Sequence, residues 1–425
     1  MGRNVYQLLL GTVCSALAFQ SCQKKSEDAA SVATPKTLYV ASGQCYSGSG
    51  ITTYTAAQAS RAVTKWDTSS GASKGVFTDL NVGNNVSVGT VPQSMIDRGD
   101  HILLLTENAT TMGDRKVFKV DKTDPSIYTV FANDPTAFNA VAANITRSIS
   151  MDVDDTLSFS KSVAIERLNT LGVRIVKGGA NAWINPAAAT GNCATAAATL
   201  IPQIQHMAPF TNMNQGKLIY LHAGNTAALN RIAIAQRTGL TSGTAADCAG
   251  SSPAGGASAV AHTNAPNLTG PVTFLGTGAS LTSMVYIPTP APASTTAKLI
   301  VSYSASVNTA FDNNTNFNYG IVMWDITETS DTAVTIGNPV ILWRDESIVW
   351  APSAMAYDST DGSLYVAVGG SPSLINQTTQ NFGYNIEKFT LDINTPLMTR
   401  VSNNNQPFII GNANTKCISN MIIAD

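Results

Sequence analysis

Charge is what this sequence has least of. Asp, Glu, Lys and Arg make up 12% of its 425 residues, against roughly a quarter in an ordinary globular domain. The 25 basic and 27 acidic side chains nearly cancel, leaving a formal net charge of -2. No clustered basic face is visible to neutralise a phosphate backbone, so no nucleic-acid partner is expected. Electrostatic steering of a strongly charged substrate is unsupported for the same reason. Histidine is scarce as well: His101, His206, His222 and His262 are the full set, with no HExxH spacing, and each reads as structural. No P-loop occurs, and no CxxC pair, which removes zinc and thiol-redox chemistry from the expectations. What fills the space is Asn, Thr, Ser, Ala and Gly, a composition suited to wet, neutral loops.

The N-terminus carries the most specific signal. Arg3 opens a short polar segment, and Val5 to Phe19 is almost wholly apolar, the length of a signal-peptide core and too short to span a bilayer comfortably. Phe19-Gln20-Ser21-Cys22 follows, then the polar run Gln23-Lys24-Lys25-Ser26-Glu27-Asp28. This segment resembles the lipobox of bacterial lipoproteins, in which a small residue precedes the cysteine that is acylated and becomes the new N-terminus. The resemblance implies a signal peptide over 1–21, a lipid anchor on Cys22 with the bilayer as partner, and a flexible tether over 22–36. Gln23, where inner-membrane retention would favour Asp, resembles the pattern sorted to the outer membrane, on its periplasmic or cell-surface side.

Beyond residue 36 a loose repeat emerges. Its clearest form is Pro352 to Asp358, the turn Ser359-Thr360-Asp361-Gly362, and Leu364 to Val368, two β-type runs around a tight polar turn. A third run, Ile386 to Leu391, alternates by two. The same order recurs along the chain, with second strands beginning near residues 38, 102, 157, 218, 299 and 364. Short strands with local turns at this period resemble the blades of a β-propeller. The expectation is an all-β fold over 37–425: one β-propeller of six four-stranded blades. A weak seventh blade inside 218–299 is the alternative. Leu38 to Ala41 looks like a second strand with no first strand before it, and Cys417 to Asp425 like a first strand with no blade after it. The C-terminus should therefore pair with the N-terminal strand and close the ring, removing open sheet edges.

Setting aside Cys14 and Cys22, four cysteines remain for an oxidising compartment, Cys45, Cys193, Cys248 and Cys417. Three pairings are open on paper. Ring closure favours Cys45–Cys417, because the start of an inner strand lies beside the end of the second, and leaves Cys193 with Cys248. A disulfide tying the domain ends would contribute roughly a few kcal/mol.

Candidate ligand-binding positions follow from the same layout. Residues just before the inner strands, Gln93, Gln203 and Trp350, with Ser353 nearby, could line a channel mouth. The long loop containing Asn308, Phe311, Asn313, Asn314, Asn316, Phe317, Asn318 and Tyr319 could hold a glycan or peptide; its other reading is a solvated loop anchored by its aromatics. Trp66-Asp67 and Trp324-Asp325, read at the ends of third strands, look like the dipeptide of WD40 blades, with the Asp read more simply as a turn former. No cofactor is expected, with calcium admitted as an option at the Asp-rich turns. The reading is an envelope-anchored, non-catalytic binding or scaffolding protein for an unknown protein or glycan, with the weight on the non-enzymatic side. The alternative is a propeller hydrolase or lyase resembling calcium-dependent lactonases, which predicts convergent acidic and His residues or a metal.

Overall fold

A computed structural model describes residues 36–43, 61–80, 91–107, 116–126, 128–133, 144–145, 149–151, 156–160, 162–163, 173–177, 203–210, 217–223, 231–236, 280–288, 296–304, 319–330, 333–337, 340–343, 348–349, 352–369, 384–401, 405–412, 415 and 417–425. Between 144 and 236 it describes backbone only. The chain divides into two compact units, Met1–Pro35 with Asp425, and Lys36–Ala424. No described helix is long and apolar enough to cross a membrane.

The second unit is built from antiparallel strands whose sequences are short, β-branched or aromatic, and bounded by Asp, Gly, Asn and Ser turns. The first sheet contains β1 (Thr37–Ser42), β2 (Ala62–Asp67) and β3 (Ser73–Asp79), and the next β4 (Val91–Asp97), β5 (His101–Glu107), β6 (Lys116–Asp121) and β7 (Tyr128–Asn133). Short strands follow: β8 (Asn144–Ile145), β9 (Ile149–Met151), β10 (Thr156–Ser160), β11 (Ser162–Val163) and β12 (Val173–Lys177). Then come β13 (Gln203–Phe210), β14 (Lys217–Ala223) and β15 (Arg231–Gln236), and β16 (Ser280–Ile287), β17 (Thr296–Ser304), β18 (Tyr319–Ser330), β19 (Ala333–Ile336) and β20 (Val340–Trp343). The chain ends in β21 (Ala354–Asp358), β22 (Ser363–Val368), β23 (Asn385–Asp392), β24 (Leu397–Val401) and β25 (Ile418–Ala424).

Four sheets follow a regular four-strand path: β25-β1-β2-β3, β4-β5-β6-β7, β16-β17-β18-β19 and β21-β22-β23-β24. The strands β25, β4, β9, β13, β16 and β21 touch one another in that cyclic order, which makes the unit a propeller-like ring. The second strands begin at Thr37, His101, Thr156, Lys217, Thr296 and Ser363, within a few residues of the starts read from the sequence.

The expectation of six four-stranded blades is overturned. The sheet β12-β10-β9 has three strands, while β15-β14-β13-β11-β8 has five and takes two very short strands from earlier in the chain. The β16 sheet gains β20, which pairs with β18 beside β19. The cause is strand length: β8 and β11 are two residues each, too short for a ladder of their own, whereas β18 runs for 12 residues and carries two partners. Asp325 therefore lies inside β18 rather than at a strand end, with its carboxylate on Lys298 at 2.6 Å. No seventh sheet occurs among the described residues.

The C-terminal strand does pair with the N-terminal one: β25 lies antiparallel to β1, with Thr37 opposite Ala424 and Val40 opposite Met421. The join is tight. Gly43 N–H donates to the Cys417 carbonyl at 3.0 Å, and a Cβ on Gly43 would stand 1.5 Å from the Pro92 carbonyl oxygen and 2.8 Å from Ser419 Oγ. Backbone on one side and a bonded side chain on the other leave nothing that can yield. Gly43→Ala is thus expected to destabilise the unit by about 1–3 kcal/mol or more, read as a drop in the midpoint of denaturant unfolding; an unchanged midpoint would show that the join is looser than this. Cys417 stands at φ +60° and is disulfide-bonded. Cys45, Cys193 and Cys248, like the segments 1–21 and 22–35 with Cys22, lie outside the described residues.

Apolar clusters fill the spaces between neighbouring sheets. Met355 sits among Ile300, Ile321 and Met323 of one sheet and Val366 and Phe389 of its own. Met421 does the same between Ala356, Tyr365 and Ala367 on one side and Leu38 and Val40 on the other, and Met95 between Tyr39 and Val63 and Leu104 and Phe118. The flexible thioether suits these irregular wedges. Across the closing interface, Tyr365 Oη and Lys388 Nζ both donate to the Thr68 carbonyl, at 2.8 and 2.9 Å. Burial, with Asp361 and Asp358 close by, pushes the Tyr365 phenol above its ordinary value, which keeps it a donor.

Candidate functional site

Five of the six inner strands share one irregularity, and β9 alone pairs without it. In β4, Pro92 faces Thr106 and Ser94 faces Leu105, so Gln93 is an extra residue. In β16, Leu281 faces Tyr303 and Ser283 faces Ser302, leaving Thr282 extra. In β25 Ser419 is the unmatched residue between Ile418 and Asn420, and in β21 Ser353 and Ala354 both bond opposite Ala367. The shift in β13 lies between Ile204 and Met207, over Gln205 and His206. A bulge of this kind breaks strict alternation and can turn two successive side chains to one side.

The consequence, among the described residues, is a belt of polar contacts joining β16 to β21, β21 to β25 and β25 to β4. Ser353 Oγ donates to the Ile418 carbonyl at 2.7 Å, and Ser419 Oγ to the Pro92 carbonyl at 2.9 Å. One residue on, Ser283 Oγ accepts from Met355 N–H and Asn420 Oδ1 from Met95 N–H, both at 3.0 Å. Gln93 occupies the same register position as Ser353 and Ser419. Its side chain is longer, it is 2% exposed, and its Nε2 has no hydrogen-bond partner among the described residues. A buried amide donor left without an acceptor costs about 1–3 kcal/mol.

The other sequence-read positions are dispersed. Gln203 is the first residue of β13, opposite Ala223, two residues short of the bulge. Tyr319 begins β18 opposite Ser304 and is 1% exposed, an anchoring position in the core rather than a loop surface. Trp350, Phe311 and Asn316, with the rest of the Asn-rich loop, lie outside the described residues. The structure therefore supports Gln93 in a polar belt and brings none of the others to it among the described residues.

Of the Asp clusters admitted for calcium, Asp152, Asp154 and Asp155 lie outside the described residues, while in the Asp97/Asp100 turn Asp97 Oδ1 accepts from Gly99 N–H at 3.1 Å and meets Lys122 Nζ at 2.7 Å. Three other Asp residues form turns of the same kind. Asp67 Oδ1 accepts from the N–H groups of Ser69 and Ser70, Asp121 Oδ1 from Thr123 and Asp124, and Asp392 Oδ1 from Asn394 and Thr395. These bonds hold each carboxyl below its ordinary value: the Ser69 hydroxyl leads at Asp67, the Thr123 hydroxyl at Asp121 and the Thr395 N–H at Asp392. Asp67 is thereby the turn former it was read as. No group of three or more His, Cys, Asp or Glu that could hold a metal is present among the described residues. The pentapeptide Gly71-Ala72-Ser73-Lys74-Gly75 has the spelling of a nucleophile elbow, but it enters the outer strand β3 with Ser73 exposed. That elbow needs a strand-to-helix turn.

Sequence reasoning missed the belt, although a signal was present. Gln93-Ser94-Met95, Gln205-His206-Met207, Thr282-Ser283-Met284, Ser353-Ala354-Met355 and Ser419-Asn420-Met421 are five inner-strand triplets, each closing on Met. These methionines face Leu104, Tyr220, Val301, Val366 and Val40 on the second strands.

No family model matches the chain, and no curated protein matches it. Among solved structures, the periplasmic gluconolactonase of Pseudomonas aeruginosa aligns over 87% of this chain and 82% of its own, at 11% identity and a TM-score of 0.42. A luciferin-regenerating enzyme aligns over 82% and 94%, at 10% identity and 0.42. The calcium-binding protein regucalcin of Agrobacterium tumefaciens aligns over 79% and 88%, at 12% identity and 0.39. Likeness at this level concerns the propeller-like fold alone. The weight given to a non-enzymatic role is withdrawn: it rested on motifs missing from the sequence, and such an absence does not exclude catalysis.

Proposed function

We propose that the chain is a propeller hydrolase of neutral, hydroxyl-rich substrates, such as sugar lactones or glycosides, acting where the inner strands begin. The observation that supports this reading is the belt itself. Its side chains are amides and hydroxyls, Gln93, Ser94, Thr282, Ser283, Ser353, Ser419 and Asn420, with no fixed charge among them, and the Gln93 amide donor is unpaired among the described residues. A few placed polar groups in an otherwise apolar setting are what orients a neutral oxygen-rich ligand. The low charge of the whole chain agrees, since it offers nothing to an anionic or cationic substrate. Export and anchoring through Cys22 at the outer membrane belong to the same reading and would put the reaction in the periplasm or at the cell surface.

The test is turnover by the purified protein of a panel of neutral sugar lactones and aryl glycosides, with Gln93→Leu as comparison. Expected are hydrolysis by the wild type and a KM raised about tenfold or more in the variant, the loss of one hydrogen bond. Binding without turnover across the panel would sink the reading.

A further inference from the structure

We propose that His206 is the acid–base group of that reaction, because the topology sets it at the bulge of β13, the register position from which Ser283 and Asn420 tie neighbouring inner strands together. This inference rests on the hydrolase reading. The placement follows from backbone pairing alone. Met207 faces Tyr220 and stands three residues before Phe210, which faces Lys217 at the hairpin end. Met284 stands likewise before Ile287, Met355 before Asp358 and Met421 before Ala424, each the last paired residue of its strand. His206 is thus equivalent to Ser283, Ala354 and Asn420, and Gln205 to Thr282, Ser353 and Ser419.

Across these triplets, ten residues fill the two bulge positions, and His206 is the one that titrates near neutrality. Its neighbours give it few competitors. Strand β9 carries no titratable side chain, β16 carries Tyr286, and β14 carries Lys217, Tyr220 and His222, the last opposite Ile204. A neutral substrate bound by amides and hydroxyls needs one group that can move a proton, and imidazole is the side chain best matched to that task near pH 7.

For a lactone the step balances without a cofactor. Water oxygen bonds to the acyl carbon as imidazole takes its proton. The ring C–O bond then breaks, and the departing oxygen receives that proton from imidazolium. The product is the open hydroxy acid, and the imidazole is neutral again.

The pH dependence of lactone hydrolysis by the full chain tests this, comparing wild type with His206→Asn, His206→Ser and His222→Asn. Asn and Ser already stand at this register position in Asn420 and Ser283, so both substitutions suit the fold, and thermal midpoints check that. Expected is a wild-type acid limb with a midpoint at about 6–7, absent from both His206 variants. Their kcat should fall roughly 100-fold or more, with KM within about threefold. His222→Asn should retain the limb. His206 variants that keep kcat and the limb, or loss of the limb in His222→Asn instead, overturn the inference while leaving the hydrolase reading intact. A wild type that hydrolyses nothing overturns the reading itself and the inference with it.

Discussion

A chain ending at Thr415 is expected to lose its cooperative thermal transition and its near-UV dichroism, and to collect as aggregate or as an expanded state. The truncation removes Cys417 and all of β25, including Ile418, Met421 and Ala424, each at most 4% exposed. Burying a large aliphatic side chain or a methionine contributes about 1.5–3 kcal/mol, and β25 seals two inter-sheet clusters rather than one. The segment removed also supplies the Cys417 carbonyl that accepts from Gly43 N–H, the Ser419 bond to Pro92 and the Asn420 bond to Met95. Without it β1 becomes an open edge facing solvent. A domain of marginal net stability, about 5–15 kcal/mol, does not absorb a loss of that size. A truncated protein that unfolds cooperatively near the wild-type midpoint would mean that the remaining sheets hold together without closure.

Arg400→Ala is expected to destabilise the ring by about 3–5 kcal/mol, with the double substitution Glu387→Met/Arg400→Met close to wild type. Glu387 lies on β23 at 2% exposure, and its carboxylate receives two bonds from one guanidinium, Nε at 2.9 Å and Nη2 at 2.8 Å. The planar fork matches the two carboxylate oxygens, the geometry Arg provides and Lys does not. Removing the arginine strands a carboxylate in a place with no water to solvate it. Removing both charges restores an apolar contact between β23 and β24. Equilibrium urea unfolding of the three proteins decides it. A single variant within about 1 kcal/mol of wild type, or a double variant as weak as the single, would falsify the claim that the cost is an uncompensated buried charge.

Strand order and the starts of the second strands were legible because the signals are local. Period-two alternation over Ile386 to Leu391, the Asp-Gly turn at Asp361-Gly362 and the orphan strand at Leu38 each depend on a handful of adjacent residues. Ring closure was legible for a similar reason, since an unpaired strand at each end of the chain admits few partners. The uneven sheets were not. Composition gives no reason for β8 and β11 to join the β13 sheet, and no reason for β18 to outrun the Trp-Asp dipeptide that looked like its end. Of the two readings of the Asn-rich loop, buried Tyr319 agrees with the one in which its aromatics anchor it, and the rest of the loop lies outside the described residues.

The candidate site shows the same division. Gln93 was read as a channel residue from its place ahead of an inner strand, and the structure gives it the belt position beside Pro92. The Met-closing triplets were present in the sequence throughout, yet a triplet of Ser, Gln, Asn or Thr before Met has no meaning until the bulges align the strands.

By itself, then, the sequence determined an all-β chain of local hairpins with low charge, because alternation, turn chemistry and composition act over a few residues. Only the tertiary structure decided which strands share a sheet, where Gly43 must remain without a side chain, and that Glu387 and Arg400 meet in the core. It alone placed His206 in register with Ser283 and Asn420. Those facts depend on contacts between residues tens to hundreds of positions apart: Ser419 and Pro92 are separated by 327 residues and touch at 2.9 Å. Such pairings are set by packing and ring closure, which no local pattern encodes.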